Sequence, residues 1–482
     1  MQDLFNQALE EAKSLGASYA DVRLVDRHKQ PIIIRNGHIQ DISSTESKGV
    51  GVRVMVNGAW GFSACAVINK NNLFATVKEA ISIAKASAMV QAEPIELTPL
   101  QGVKDKYATP YQKDPFNMDL EEQVEFLMDL DKQLRTNEDV KMAMTRLHAV
   151  KQHKLFMSTE GHEIEQDLLE TGIALMATAM GNGDVQRRLY QDTVTGGYEF
   201  LEEKYEFMNN KGLHEIAQDL SQEASDLLKA DTCPIVEGDM ILGGQQLALQ
   251  IHESCGHPIE LDRVLGYEAS FAGTSFLTPE KQNNFMYGSE HVNLNIDATI
   301  PRALGSFGYD DEGVKAQRAQ IVEKGLFKDY LTSRETAAKI GQESNGTCLA
   351  EGFNNIPMVR MTNVNIEAGD WSLAEIIKDT KYGIFMDGSK SWSLDDKRLN
   401  FHFGCEIAYE VKDGEITRML KNPAYTDMTP HFWGGCDAVA NASEWHVWGL
   451  PSCAKGEPMQ IAHVGHGSAP ARFKNIKMGV GH

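Results

Sequence analysis

Chemistry in this 482-residue chain concentrates in one hexapeptide, His252-Glu253-Ser254-Cys255-Gly256-His257. Two neutral imidazoles beside a carboxylate match the donor set of a zinc hydrolase. The histidines would hold the ion, which lowers the pKa of water from about 15.7 to about 7, and Glu253 would take the proton as the water attacks a carbonyl. The spacing poses a geometric problem. Histidines four apart lie about 40° apart around an α-helix, whereas five apart is about 140°, on different faces. A single i→i+5 turn would return both to one side, with Gly256 lowering its cost and Pro258 stopping ordinary helix just beyond. The same residues also read as two partly exposed histidines at a helix end beside a solvated glutamate.

Other reactive side chains carry weaker patterns. His463 and His466, in HVGHGSAP, read as alternative metal ligands, as donors to an oxyanion from a glycine-rich loop, or as loop histidines held by backbone. Glu260, three residues past His257, is placed for a hydrogen bond to an imidazole N–H, or is a solvated acid. Cys255 would point away from an ion held by its neighbours and reads as core. Asp310, Asp311 and Glu312 read as a solvated turn, or as a catch for a peptide's amino terminus. The run His431-Phe432-Trp433 reads as core or interface.

The elements that must position these groups fall into two unlike halves. Residues 1–230 read as an α+β domain written twice, at about 1–91 and 118–230, joined by a proline-rich linker at 92–117. Leu4, Phe5, Ala8, Leu9 and Ala12 mark an amphipathic helix. Alternating runs from Tyr19 to about Ala66 turn at Asn36-Gly37 and Asn57-Gly58, and a second helix carries Leu73, Val77, Ala80, Ile81 and Ala84. The order recurs with Leu120, Val124, Leu127 and Leu134, then strands from about Val140 to Tyr190 with turns at Glu160-Gly161 and Asn182-Gly183, then helical text to about Lys229. Residues 231–482 read as a β-rich domain that holds the chemistry, with helices only around Gly244 to His257 and Ser333 to Ile340.

Composition bounds the partners. Forty-six basic against 68 acidic residues leave a net charge of −22, which repels phosphate backbones and anionic lipid, so neither nucleic acid nor membrane is expected. Seven cysteines without CxxC spacing argue for a reducing compartment and against a disulfide scaffold. The first residues carry acids where a leader carries lysines, and the most apolar stretch is broken by Arg53 and Asn57. The expectation is a cytoplasmic protein.

HESCGHPIELD resembles the HExxxHxxE-D signature of the TldD/PmbA family, also called modulators of DNA gyrase, and specifically its TldD branch. GSFGYDDEG (305–313), TSRETA (332–337), NFHFGCEIAYEVKDGEIT (400–417) and CAKGEP (453–458) are similar to family segments in the same order. The resemblance implies a zinc-dependent metallopeptidase with one Zn2+ per chain, acting on short or unfolded peptides. It implies a dimer around a narrow cleft, either a homodimer or a pair with a PmbA-type subunit. Carried over, His252 and His257 are ligands, Glu253 is the base, and Cys453 is the third ligand. The family's C-G-K-G-Q-P wording differs here at Ala454 and Glu457. A thiolate suits zinc, and Lys455 beside it is expected to keep it deprotonated. The competing function is a non-catalytic binding partner in which zinc is structural.

Overall fold

Helices flank one long, mostly antiparallel sheet in the first half of the chain. In the computed structural model, which describes residues 1–204, 208 and 210–479, this half runs α1 (Gln2–Ser14), β1 (Tyr19–Arg35), β2 (His38–Ile42), β3 (Thr45–Val56), β4 (Ala59–Cys65) and α2 (Lys70–Ala88). It continues with β5 (Lys104–Ala108), α3 (Leu120–Leu134), β6 (Val140–Ser158), β7 (Glu163–Gly181), β8 (Asp184–Thr195) and α4 (Leu213–Lys229). Residues 205–207 and 209, part of the stretch read as helical, lie outside the described residues, as do 480–482.

The duplication is visible in the strand order. β1 and β6 pair antiparallel at the centre, from Asp21 opposite Ser158 to Arg35 opposite Met144. β3 and β7 lie outside them, and β4 and β8 flank these in turn. Each copy has its own apolar layer. Phe5, Leu9, Val52, Val54, Leu73 and Val77 close one under α1 and α2; Leu127, Leu130, Ile173, Leu175, Ile216 and Leu220 close the other under α3 and α4. Asn36-Gly37, Asn57-Gly58 and Asn182-Gly183 all take positive φ, the conformation that lets a two-residue turn follow the strands' right-handed twist. The connector is more than a linker, because it contributes β5, which pairs parallel with β7.

The second half packs an eight-stranded mixed sheet, a four-stranded sheet, a long two-stranded hairpin and one short two-stranded pairing around the largest core. Helix α5 (Gly244–Ile251) follows the strand Val236–Leu242 through Gly243 and buries Leu247 and Ile251. Besides the expected helix Arg334–Lys339, short helices occur at Leu261–Val264, Leu373–Asp379 and Thr429–Gly434. Four to seven residues are too few to show a 3.6-residue period. Leu373–Asp379 carried a local signal, a capping box between Ser372 and Glu375, and Thr429–Gly434 a proline in its first turn. Phe432 and Trp433 are core. No helix among the described residues is long and apolar enough to cross a membrane.

The halves are joined by polar clasps. The hairpin of His446–Lys455 and Gln460–Ser468 lies against β8, where a Cβ on Gly449 would meet the Thr193 carbonyl oxygen at 1.8 Å. Asp192 fixes that approach by accepting from Gly449 N at 2.9 Å and meeting His446 Nε2 at 2.7 Å. Asp310, Asp311 and Glu312 form neither a solvated turn nor a catch for a peptide. Asp311 takes Lys154 at 2.8 Å, Arg53 bridges Asp21 and Glu312 at 2.9 and 3.0 Å, and Asp310 accepts the backbone N–H groups of Glu312, Val314 and Cys348.

Candidate metal centre

The motif sits where α5 ends. Residues His252–Gly256 form a π-turn and His257–Ile259 a 3-10 turn, so the i→i+5 geometry that the spacing demands is present. Widening a helix frees backbone carbonyls, and side chains satisfy them here. Ser254 Oγ donates to Gln250 O at 2.7 Å, and Tyr287 Oη donates to Ser254 O. Trp433 Nε1 and Gln250 Nε2 both donate to Ser254 Oγ, at 3.0 and 2.9 Å, and Tyr425 Oη donates to Gln250 Oε1 at 2.8 Å. Gly256 has an ordinary helical φ of −68°. Its glycine is required by packing instead, since a Cβ there would lie 2.0 Å from Met361 Sδ.

The turn places His252 and His257 with ring centroids 4.8 Å apart. Ligand atoms of His252, His257 and Cys453 all lie within 4.8 Å of one another, and all three residues are buried. Which nitrogens face inward follows from their partners. Glu260 Oε2, a carboxylate oxygen, lies 2.9 Å from His257 Nδ1, so that nitrogen carries the proton and donates. His466 Nδ1 lies 3.1 Å from the Val364 carbonyl oxygen and must likewise donate. Burial holds His466 well below the usual histidine range and lowers His252 too, which favours the neutral ring in each. His466 Nε2 is then an acceptor, and His252 Nδ1–H donates to it at 2.8 Å. In the neutral form of each motif histidine, Nε2 is therefore the unprotonated nitrogen.

Cys453 arrives from the hairpin strand His446–Lys455, with a bulge between Leu450 and Cys453. Arg360 holds both strands, donating to Cys453 O at 2.5 Å and Gln460 O at 3.0 Å. Burial pushes the thiol up, but protonated His257, whose Nε2–H then donates to the thiolate, and next Arg360 bring it below its ordinary value; a bound metal ion would take the place of that proton. Lys455 does not have the part expected of it. Its ammonium donates to both oxygens of Asp262, at 2.7 and 2.9 Å, and to Val359 O, and lies 3.4 Å from Glu260 Oε1. Glu260 is held well below the usual carboxylate range: burial opposes this, but Lys455, His257 and Arg263 outweigh it.

Glu253 is buried, 7 % exposed, and no side chain or N–H among the described residues forms a hydrogen bond or ion pair with its carboxylate. Cys255 is 1 % exposed, and burial pushes its thiol up to about 12, a core side chain. His463 stands apart. Cys453 pairs with Ala462 across the hairpin, so His463 faces the other side and meets Glu170 Oε2 at 2.5 Å. A cavity of about 340 Å³ adjoins His466, lined among others by Leu189, Ala248, Leu249, Trp448 and Leu450.

The donor chemistry fits zinc. Two imidazole Nε2 lone pairs and one acidified thiol converge, a set of three that leaves one tetrahedral position open. Sequence reasoning missed Ser254, Tyr287, Trp433 and Arg360. Their contacts join segments 33 to 179 residues apart, which no local pattern reveals.

Profile comparisons agree along the chain. The PmbA/TldA metallopeptidase C-terminal domain matches residues 237–479, domain 1 matches 20–84, and the central domain matches 113–228. The chain is 33% identical to a metalloprotease of Methanocaldococcus jannaschii, over 89% of this chain and 91% of that protein. It is 24% identical to a zinc metalloprotease TldD homolog of Saccharolobus solfataricus, over 98% of each. Among solved structures, TldE from Thermococcus kodakarensis shares the fold with a TM-score of 0.77 at 16% identity, covering 98% of this chain and 99% of that one.

Proposed function

This chain belongs to the PmbA/TldD metallopeptidase family, and on that premise we propose that it is a zinc peptidase whose ion is held by His252, His257 and Cys453. The observation that carries the reading is the convergence of those three side chains, with Nδ1 of each histidine already occupied by a partner. Zinc, when bound, supplies a Lewis acid that polarises a carbonyl and brings the pKa of water near 7. Glu253 is the proton carrier. Its carboxylate has no hydrogen-bond or ion-pair partner among the described residues, so it can accept the proton of the attacking water and pass it to the leaving amine, a contribution of roughly 10²–10⁴-fold. Glu260 and His466 fix the ring orientations, and the surrounding core excludes bulk water from the ligands.

A structural zinc site fills all four positions with protein groups. Only three donors converge among the described residues, which favours the catalytic reading over a binding partner with a structural ion. The substrates are short or unfolded peptides, and the working unit is a dimer, built from two copies or with a PmbA-type subunit such as the family's TldE proteins.

Glu253→Gln tests the reading. It keeps the side chain's shape and should retain zinc and bind peptide while hydrolysis is lost. Unchanged turnover in a zinc-replete Gln variant would refute the mechanism. Cys453→Ala should lose most bound zinc by elemental analysis, and Cys255→Ala should not. Equal zinc in both would remove Cys453 from the ligand set.

A further inference from the structure

Beside the metal centre stands the tight turn that joins strands Tyr382–Leu394 and Asn400–Lys412. Hydrogen bonds tie it to the motif. Ser275 Oγ donates to the carbonyl of Pro258, next to His257, at 2.7 Å. The neighbours of Ser275, Thr274 and Phe276, donate their N–H groups to Asp396 O and Lys397 O at 2.8 and 3.0 Å. Within the turn, Asp395 accepts from Lys397 N, Leu399 N, Asn400 N and Asn400 Nδ2. Thr429 Oγ1 closes it from the other side, donating to Arg398 O at 2.9 Å. The turn is held from every direction.

At its tip Arg398 takes a φ of +60°. Glycine or asparagine would fit this left-handed position at less cost, so an arginine there points to a use for the side chain. That side chain is partly buried. Its Nε is sealed off without a partner, and the guanidinium forms no hydrogen bond or ion pair among the described residues. Its charge nevertheless acts on both Glu253 and His252. The other cations around the centre are committed: Arg263 to Glu260 and the Ala272 carbonyl, Arg360 to two carbonyls, and Lys455 to Asp262. Among the described cations around the centre, Arg398 is the uncommitted one.

A partly desolvated guanidinium with open N–H groups, carried on a backbone turn that is itself held, matches a carboxylate, to which its planar fork can donate twice. We propose that Arg398 receives a carboxylate of the bound peptide, either the α-carboxylate at the chain's end or an acidic side chain next to the scissile bond. This specificity rests on the peptidase reading above. The chain's net charge of −22 disfavours anionic peptides at long range, which makes a cation at the site the element that admits them.

Binding and turnover separate the two ideas. The probes are fluorescein-labelled penta-alanine as free acid and as amide, and Ala-Ala-Glu-Ala-Ala amide with its Gln twin. Anisotropy is read for zinc-loaded wild type, Arg398→Gln, Arg398→Lys and the charge-matched control Lys397→Gln, whose side chain is exposed. Wild type and Lys397→Gln should bind at least one carboxylate peptide more tightly than its neutral twin, by roughly tenfold to a hundredfold. Arg398→Gln should erase that difference without loss of zinc, and Arg398→Lys should keep part of it. The free-acid pair reports the α-carboxylate and the Glu/Gln pair the side chain. No preference in wild type, or equal losses on charged and neutral peptides, overturns the assignment. Absence of hydrolysis with the binding preference intact would instead defeat the peptidase reading alone.

Discussion

His252 and His257 present the same nitrogen because different partners hold the other one, a histidine in one case and a carboxylate in the other. Replacing such a partner typically weakens metal binding about 10–100-fold. His466→Phe should do so by leaving the buried His252 Nδ1–H without an acceptor, and Glu260→Gln, which keeps an acceptor oxygen, should lose less. Chelator competition measures both; equal affinity in His466→Phe would show that His252 needs no such support. At this scale the sequence was legible where contacts are local. Glu260 reaches His257 across three residues, so its place followed from the motif alone. His466 meets His252 across 214 positions, and its role among three alternatives needed the fold. Cys453 was legible only through the family resemblance. Lys455 was misjudged, because adjacency in sequence to Cys453 does not show that Asp262 captures its charge.

The π-turn is the element on which both histidines depend, and a five-residue spacing was enough to foresee it. Its support was not foreseeable, since Tyr287 and Trp433 come from distant segments. Ser254→Ala tests that support. It removes the shared acceptor of two buried donors and should cost about 1–3 kcal/mol of stability. Zinc affinity should fall as the turn relaxes; an unchanged denaturation midpoint would show that the network is dispensable. Strand pairing sets a second response. His148 on β6 lies opposite Gly172 on β7, and a Cβ on that glycine would meet its ring at 2.2 Å. Burial lowers His148 to about 4, with repulsion from His463 adding to it. An unfolded histidine titrates near 6.5, so between those values the unfolded chain binds the extra proton. Stability present above about pH 6.5 is therefore lost as pH falls toward 4, at up to about 1.4 kcal/mol per pH unit. His148→Gln should flatten that part of the denaturation profile, and NMR titration of the ring should show the low midpoint directly.

Across the whole molecule, the two halves meet through buried charge. Lys154→Met would strand Asp311, 2 % exposed, without its ammonium. Breaking a buried pair from one side costs on the order of 3 kcal/mol. Adding Asp311→Asn should restore part of the midpoint, and equal midpoints in wild type and Lys154→Met would show that the clasp is not stabilising. The division into a duplicated sheet half and a β-rich half was legible, because hairpin turns and helix periods repeat locally. That GSFGYDDEG is an internal joint was not, because three successive acids look solvated until Lys154 and Arg53 are placed opposite them. The order of the centre's parts along the chain has a further effect during synthesis. Cys453 follows His257 by roughly 200 residues, about 10–40 s of translation at ordinary ribosome speeds. Through that interval the emerging polypeptide holds His252, Glu253 and His257 but lacks the thiol of Cys453 that completes the proposed trio. On the proposed ligand set, a peptidase assembled in this order completes its metal site only after its own most exposed segments, and those of neighbouring nascent chains, have had time to fold.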